Sequence, residues 1–258
     1  MEDKTSNLIL FADYEITSAD ADMFGRLRLG ALVNFLIQSA IKSADRLGFG
    51  FKDLERHQLF WVLSRLTVEI GKTLNWYDKA EVETWPKSAD KILYLRDFFV
   101  RNQNGEVAAK AASGWFPIDL RTKRPKRYEG EFAEIFVHNK NKFALEEVPE
   151  KLPIVNDGDE FEFMPTYFDC DFNKHVTTTR YVDAMMDAFS ADFHEKNYPE
   201  RLSLNFIKET RIGEKIKIIK TETENKKFFF EGKKADGNIV AFRGRIDFRE
   251  DRSNLELP

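Results

Sequence analysis

Two stretches of this sequence decide its fold: "DADMFGRL", Asp20 to Leu27, and "DCDFNKHV", Asp169 to Val176. They share their aspartates and the step into an apolar segment, and they stand 149 positions apart. The offset then shrinks. Leu66 and Val68 match Leu204 and Phe206 at 138, and Gly105 matches Gly237 at 132, because the second copy has shorter loops. A repeat of this length is a duplicated domain, not a solenoid of short units. Pro149, Pro153 and many charges break the pattern between His138 and Glu160. The expected domains are therefore residues 1–140 and 156–258.

Each copy reads as a strand, a loop, a helix and several strands. The first helix is predicted from Leu29 to Leu47, with Leu32, Val33, Phe35, Leu36, Ile37, Ala40, Ile41 and Ala44 at helical spacing. This pattern is apolar round most of its circumference, so the helix must be covered on several sides. Gly48 supplies its stop. The second helix is predicted from Thr178 to Phe193, capped by Thr177 or Thr178. "LSRLTVEI" (Leu63 to Ile70) and "RLSLNFIKE" (Arg201 to Glu209) alternate as half-buried strands do. Asn104-Gly105 and Asp236-Gly237 predict two-residue hairpin turns. An apolar helix wrapped by a curved antiparallel sheet, made twice in tandem, is the double hotdog, an α+β fold.

Composition narrows the function. The chain has 258 residues, 42% of them apolar, with 24 phenylalanines, which favours wide apolar interiors or grooves. A net charge of −4 gives no global signal for nucleic acid. Cys170 is the single cysteine, so no intrachain disulfide framework exists. The apolar run near the N-terminus, Leu8 to Ala12, is too short for a signal-peptide core or a membrane span. The expectation is a cytoplasmic protein without membrane insertion. No G-x-S-x-G elbow and no phosphate loop occurs.

The motif D-x-D-x-N-x-H-V, a following helix and the later "LNFIKETRIGE" together resemble the acyl-acyl carrier protein thioesterases. "FWVLSRLTVEI" and the basic "LRTKRPKR" are similar to first-half features of that family. The resemblance covers nearly the whole chain and, without a plastid targeting segment, points to a bacterial-type member. It implies a tandem double hotdog that hydrolyses fatty acyl-acyl carrier protein, ending fatty-acid synthesis, with an acyl carrier protein as partner and no cofactor. It also implies that Asp171, Asn173, His175 and Glu209 carry catalysis. Where plant members have a cysteine once proposed as nucleophile, this chain has Thr210, which argues against a thiol mechanism.

Read from the residues alone, Asp171, Asn173 and His175 share a face only in an extended or loop segment. The unpaired N–H groups at the start of the next helix could stabilise an oxyanion. The expected division of labour has His175 and Glu209 orienting and deprotonating water. Asn173 positions water or carbonyl, and Asp171 orients His175 or supports the water by its charge. Burial would raise the pKa of Glu209 and a charged His175 would lower it. Asp169 reads as a capping residue, and Cys170 as buried and structural between two carboxylates. His57, His138 and His194 have no partner at ligand spacing. Asp169, Asp171 and His175 could be imagined around a metal, but no second cluster supports one. The run Arg121 to Tyr128 could meet an acidic carrier by charge, or simply be a solvated loop.

In the first copy Phe24 stands for Asn173 and Arg26 for His175, so one active site per chain is expected. The first helix would then be free to line or close an acyl channel. An acyl-CoA thioesterase of the same fold, a double-hotdog hydratase and a non-catalytic acyl-chain binder are the rival readings. Monomer and homodimer both fit.

Overall fold

The computed structural model describes residues 8–128, Ile135 and 142–251. Ten strands form one continuous antiparallel sheet in the order β1-β3-β4-β5-β2-β7-β10-β9-β8-β6. The first half supplies β1 (Leu10–Glu15), β2 (Leu59–Ile70), β3 (Lys79–Asp90), β4 (Leu93–Asn102) and β5 (Val107–Asp119). The second supplies β6 (Asp159–Phe163), β7 (Asn197–Phe206), β8 (Ile216–Glu224), β9 (Lys227–Lys234) and β10 (Val240–Glu250). The halves join where β2 pairs with β7, Leu66 opposite Leu204, Arg65 opposite Asn205 and Thr67 opposite Ser203. The two leucines matched by the repeat therefore face each other on a pseudo-two-fold axis.

Helix α1 (Leu29–Arg46) buries eleven of its residues between the sheet and the second half's helix, in accord with its apolar pattern. A short helix α2 (Phe51–Arg56) follows. In the second half the expected single helix is two: α3 (Thr178–Met186) and α4 (Ala191–Lys196). Ser190 interrupts it, because its hydroxyl accepts the Phe193 N–H at 3.2 Å and starts a new helix. Phe189 and Phe193 instead pack with Phe228 and Phe248. The α1 and α3 helices cross closely at Gly30. A Cβ there would meet the Asp183 carboxylate and displace it, so glycine lets the two helices approach with Asp183 in place.

The two hairpins also differ from expectation. Between β4 and β5, Gly105 at φ +76° closes a loop in which Asn102 N–H bonds Glu106 O, and the Asn102 carboxamide holds two loop N–H groups. Between β9 and β10, Lys234 N–H reaches Ile239 O across a longer loop containing Gly237 and Asn238, both at positive φ. Neither is a two-residue turn; side-chain bonds and an added left-handed residue lengthen both.

From Lys142 onward, the connecting segment runs against one sheet face. Ala144 N–H bonds Asp97 Oδ2 at 2.7 Å, and Leu152 N–H bonds Asn205 Oδ1 at 2.8 Å. Helices cover the opposite face.

Candidate active site

The sequence around Asp171 folds as a tight turn, the loop of the two expected alternatives, extended or loop. Asp171 N–H bonds His175 O at 2.8 Å, Lys174 N–H bonds Asp171 O at 2.9 Å, and Lys174 takes φ +63°. Asp171 Oδ1 accepts the backbone N–H of Asn173 at 2.8 Å and of His175 at 3.2 Å. Asp171 therefore holds His175 through its backbone N–H. The Asn173 amide nitrogen lies 3.5 Å from Asp171 Oδ2. Asp171 and Asn173 are exposed, and His175 is half-buried.

Asp169 caps, as expected. Its Oδ2 accepts the Thr166 N–H at 2.6 Å and hydroxyl at 2.8 Å, and its Oδ1 pairs with Arg180 Nε at 2.6 Å. Thr177 occupies the N-cap of α3 without capping it; its hydroxyl pairs with that of Thr179 at 3.0 Å. Cys170 is only half-buried. Burial, then the charges of Asp169 and Asp171, push its thiol up, which disfavours a thiolate.

Glu209 arrives from beyond β7. Val176 N–H bonds Thr210 O at 2.8 Å, which lays the His175 segment alongside the Glu209 segment. Partial burial raises the Glu209 pKa, but its own backbone N–H, the Lys208 ammonium and His175 outweigh burial, and the carboxyl is held below its usual value. The sequence named only His175 as a lowering influence; the backbone N–H and Lys208 lower it more. Lys208 Nζ sits 3.1 Å from Glu209 Oε1. Thr210 is fully buried and lies beside the Tyr181 phenol, which burial pushes up to about 12.

Exposed apolar groups ring this turn. Phe168 is 90% exposed, and Phe172 and Ile212 are also exposed. Phe51 of α2 meets Phe172 edge-on at 5.6 Å, so the first half contributes to the rim. The pattern in the sequence had no signal for this contact, which joins positions far apart in the chain.

The other histidines play other parts. His57 ends α2 against Tyr128, His194 Nε2 bonds Met186 O at 2.9 Å, and His138 lies outside the described residues. No group of three metal-ligating side chains occurs among the described residues. Among them, no helix is long and apolar enough to cross a membrane. Residues 121–127 are exposed, with Lys126 3.7 Å from Asp119.

The first copy keeps the same turn. Asp22 Oδ1 accepts the Phe24 and Arg26 N–H groups, each at 2.9 Å, and Gly25 at φ +76° replaces Lys174. Asp20 repeats the cap of Asp169 on Thr17. Arg26 instead pairs with Asp22 at 2.8 Å and with Asp251 at 2.6 Å. Matching bonds, Lys72 to Ala108 and Leu27 to Leu74, put Thr73 where the second copy has Glu209. A cleft of about 660 Å³ opens there, lined by Thr73, Asn75, Arg249 and Asp251 among others, with no imidazole.

The fold and this turn define a tandem hotdog protein whose histidine-bearing site is made once. Residues 9–136 match the acyl-ACP thioesterase N-terminal domain and residues 154–250 its C-terminal domain, so the chain belongs to the acyl-ACP thioesterase family. A chloroplastic palmitoyl-acyl carrier protein thioesterase of Arabidopsis thaliana is 26% identical over 78% of this chain and 52% of its own length. A dodecanoyl-[acyl-carrier-protein] hydrolase of Cinnamomum camphora is 25% identical over 74% of this chain and 53% of its own. The chain spans about half the length of the curated relatives it matches. Among solved structures, an acyl-ACP thioesterase from Bacteroides thetaiotaomicron superposes with a TM-score of 0.84 at 26% identity, over 95% of this chain and 100% of that one. The 12:0-ACP thioesterase of Umbellularia californica gives 0.84 at 22%, over 95% and 98%.

Proposed function

We propose that this protein hydrolyses the thioester of fatty acyl-acyl carrier protein, releasing free fatty acid and the carrier's thiol. The observation that carries this reading is the asymmetry between two copies of one turn. Both keep the aspartate and its backbone bonds, and only the second adds Asn173 and His175, beside Glu209. Family membership supports the substrate class.

In the mechanism, His175 and Glu209 orient a water and take its proton as its oxygen attacks the thioester carbonyl carbon. The C–S bond breaks, and the proton returns to the thiolate. The lowered pKa keeps Glu209 anionic, ready to hold the water or the imidazolium. Asn173 positions water or carbonyl, and Asp171 holds the turn. The helix start at Thr178 offers N–H groups toward negative charge. Each chain has one such site, in a second domain of residues 156–258 that follows a first domain of residues 1–140. The exposed run at 121–127 is a candidate contact for an acidic carrier.

The test is fatty-acid release from acyl-carrier protein and acyl-CoA of several chain lengths. Wild type is expected to prefer the carrier-bound substrate, and His175→Ala and Glu209→Ala to lose about a hundred- to ten-thousand-fold in rate. Near wild-type turnover by both variants would overturn the site assignment. Preference for CoA would reassign the leaving group, and no turnover on either would leave an acyl-chain binder.

A further inference from the structure

The two copies differ at one more pair of positions, and this pair lies in the core. By the repeat, Leu32 of α1 matches Tyr181 of α3 at an offset of 149. The bonds from Leu27 N–H to Leu74 O and from Val176 N–H to Thr210 O match Leu74 with Thr210. All four side chains are buried. The first half therefore holds two leucines where the second half holds a phenol and a hydroxyl.

The polar choice is the less stable one. The Thr210 N–H and hydroxyl lie beside the Tyr181 oxygen, but Thr210 Oγ1, fully buried, completes no hydrogen bond. A hydroxyl in that state has given up water without full return. Leucines avoid the cost, and the first half shows that this fold accepts them in its core. The Tyr181 ring packs on Phe206 and Phe242 at 5.6 and 4.9 Å, contacts that a phenylalanine would make as well. The oxygens of Tyr181 and Thr210 are therefore not what holds the second hotdog together.

Their place in the chain says what they serve. The N–H of Val176 belongs to the peptide group that follows His175, and the N–H of Thr210 to the one that follows Glu209. Val176 N–H is donated to Thr210 O at 2.8 Å, and Thr210 N–H lies against the Tyr181 phenol. One short run of contacts thus joins the two peptide groups from which the imidazole and the carboxylate hang. Glu209 is exposed, so little packing fixes its side chain and the backbone beneath it has to. In the first half the first link is kept, at 2.7 Å, and Leu32, which has no oxygen, stands where the phenol would be.

We propose that Tyr181 is a positioning residue for thioester hydrolysis, its phenol holding the Glu209–Thr210 peptide so that the carboxylate stays in place beside His175. It passes no proton to substrate, because burial pushes the phenol up to about 12 and keeps it neutral. The positioning role rests on the hydrolase reading; the clamp on the Thr210 peptide does not.

The experiment is Tyr181→Phe, which removes one oxygen and keeps the ring. The substrate is acyl carrier protein loaded with the chain that wild type releases fastest. The variant should lose about ten- to a hundred-fold in kcat, the scale of a small misplacement, with KM and the melting temperature nearly unchanged. Added to Glu209→Ala, it should lose no more than about two-fold further, because it acts through that carboxylate. Thr210→Val, which removes the hydroxyl and keeps the N–H, should cost less than Tyr181→Phe. Wild-type kcat in Tyr181→Phe overturns the proposal. So does a loss that tracks a lowered melting temperature, a full further loss on top of Glu209→Ala, or a larger loss in Thr210→Val. Amide hydrogen exchange at Thr210 needs no turnover. It should be at least about ten-fold faster in Tyr181→Phe than in wild type, and equal exchange removes the clamp. If wild type releases no fatty acid, the hydrolase reading fails while exchange still decides the clamp.

Discussion

The turn at Asp22 and the turn at Asp171 have the same backbone and different uses. Each aspartate accepts two backbone N–H groups, and each turn passes through a left-handed residue, Gly25 or Lys174. What differs is the residue four places after the aspartate. Arg26, buried under the end of β10, binds Asp22 and Asp251 and lies over the rings of Phe24 and Tyr198 at 4.9 and 5.3 Å. His175 stays half-buried beside Glu209. Duplication thus left one copy of the turn available for chemistry and turned the other into a fastener between the two halves. The lesson is that the aspartate of this motif is first a structural residue. Its presence alone marks the turn, and the imidazole marks the site.

The strongest way to break this comparison is to make the second turn read like the first. Asn173→Phe with His175→Arg should lower fatty-acid release by about a hundred- to ten-thousand-fold while leaving the circular dichroism spectrum intact. The reverse exchange, Phe24→Asn with Arg26→His, should create no second site, because Thr73 stands where Glu209 would be needed. It should instead cost about 3 kcal/mol in urea unfolding, since the buried Arg26–Asp251 pair is broken. Rates that doubled per chain would refute the fastener.

A smaller effect is expected from Asp171→Ala. Two backbone N–H groups lose their acceptor, for about 1–2 kcal/mol, and turnover should fall as His175 drifts. Asp171→Asn, which keeps an acceptor oxygen, should recover most of both. If Asp171→Asn were as inactive as the alanine variant, the charge and not the turn would be what matters.

Lys208→Ala tests electrostatics alone. Lys208 is one of the influences that hold Glu209 below its usual pKa, so removing it should move the acid limb of kcat/KM to higher pH. The sign follows from the depression: the functional carboxylate persists as pH falls to its lowered pKa and is lost below that. An unmoved acid limb would take Glu209 out of the pH profile. The smallest change should come from Lys174→Gly. Relief of the left-handed strain, about 1 kcal/mol, is largely offset by the greater freedom of glycine in the unfolded chain, so the melting temperature should barely move.

Much of this was legible in the sequence because the signals are local. The aspartate turns, the apolar face of α1 and the duplicated order of elements are short-range patterns. The matched leucines even fall on the axis of the sheet. What escaped were features set by distant residues. Arg26 could be read as the loss of a histidine, but its partner Asp251 lies 225 residues away. The break between α3 and α4 depends on Ser190 and on aromatic packing with β9 and β10, which helical spacing does not report. The spacing suggested that the Asp171, Asn173 and His175 side chains converge, whereas a turn brings backbone N–H groups within reach of Asp171 first.

The pairing of β2 with β7 also has a consequence for how the chain folds. The hairpins close over short loops, but Leu66 and Leu204 must meet across 138 positions, and that closure is entropically the most costly step in the sheet. Each half can be expected to collapse on its own helix first, leaving β2 and β7 as open strand edges until they find each other. During that interval a β7 edge from one molecule can as readily add to a β2 edge of another. Slow refolding, and dimers exchanged through this seam at high concentration, are therefore the kinetic signature of a sheet whose two halves share their central ladder.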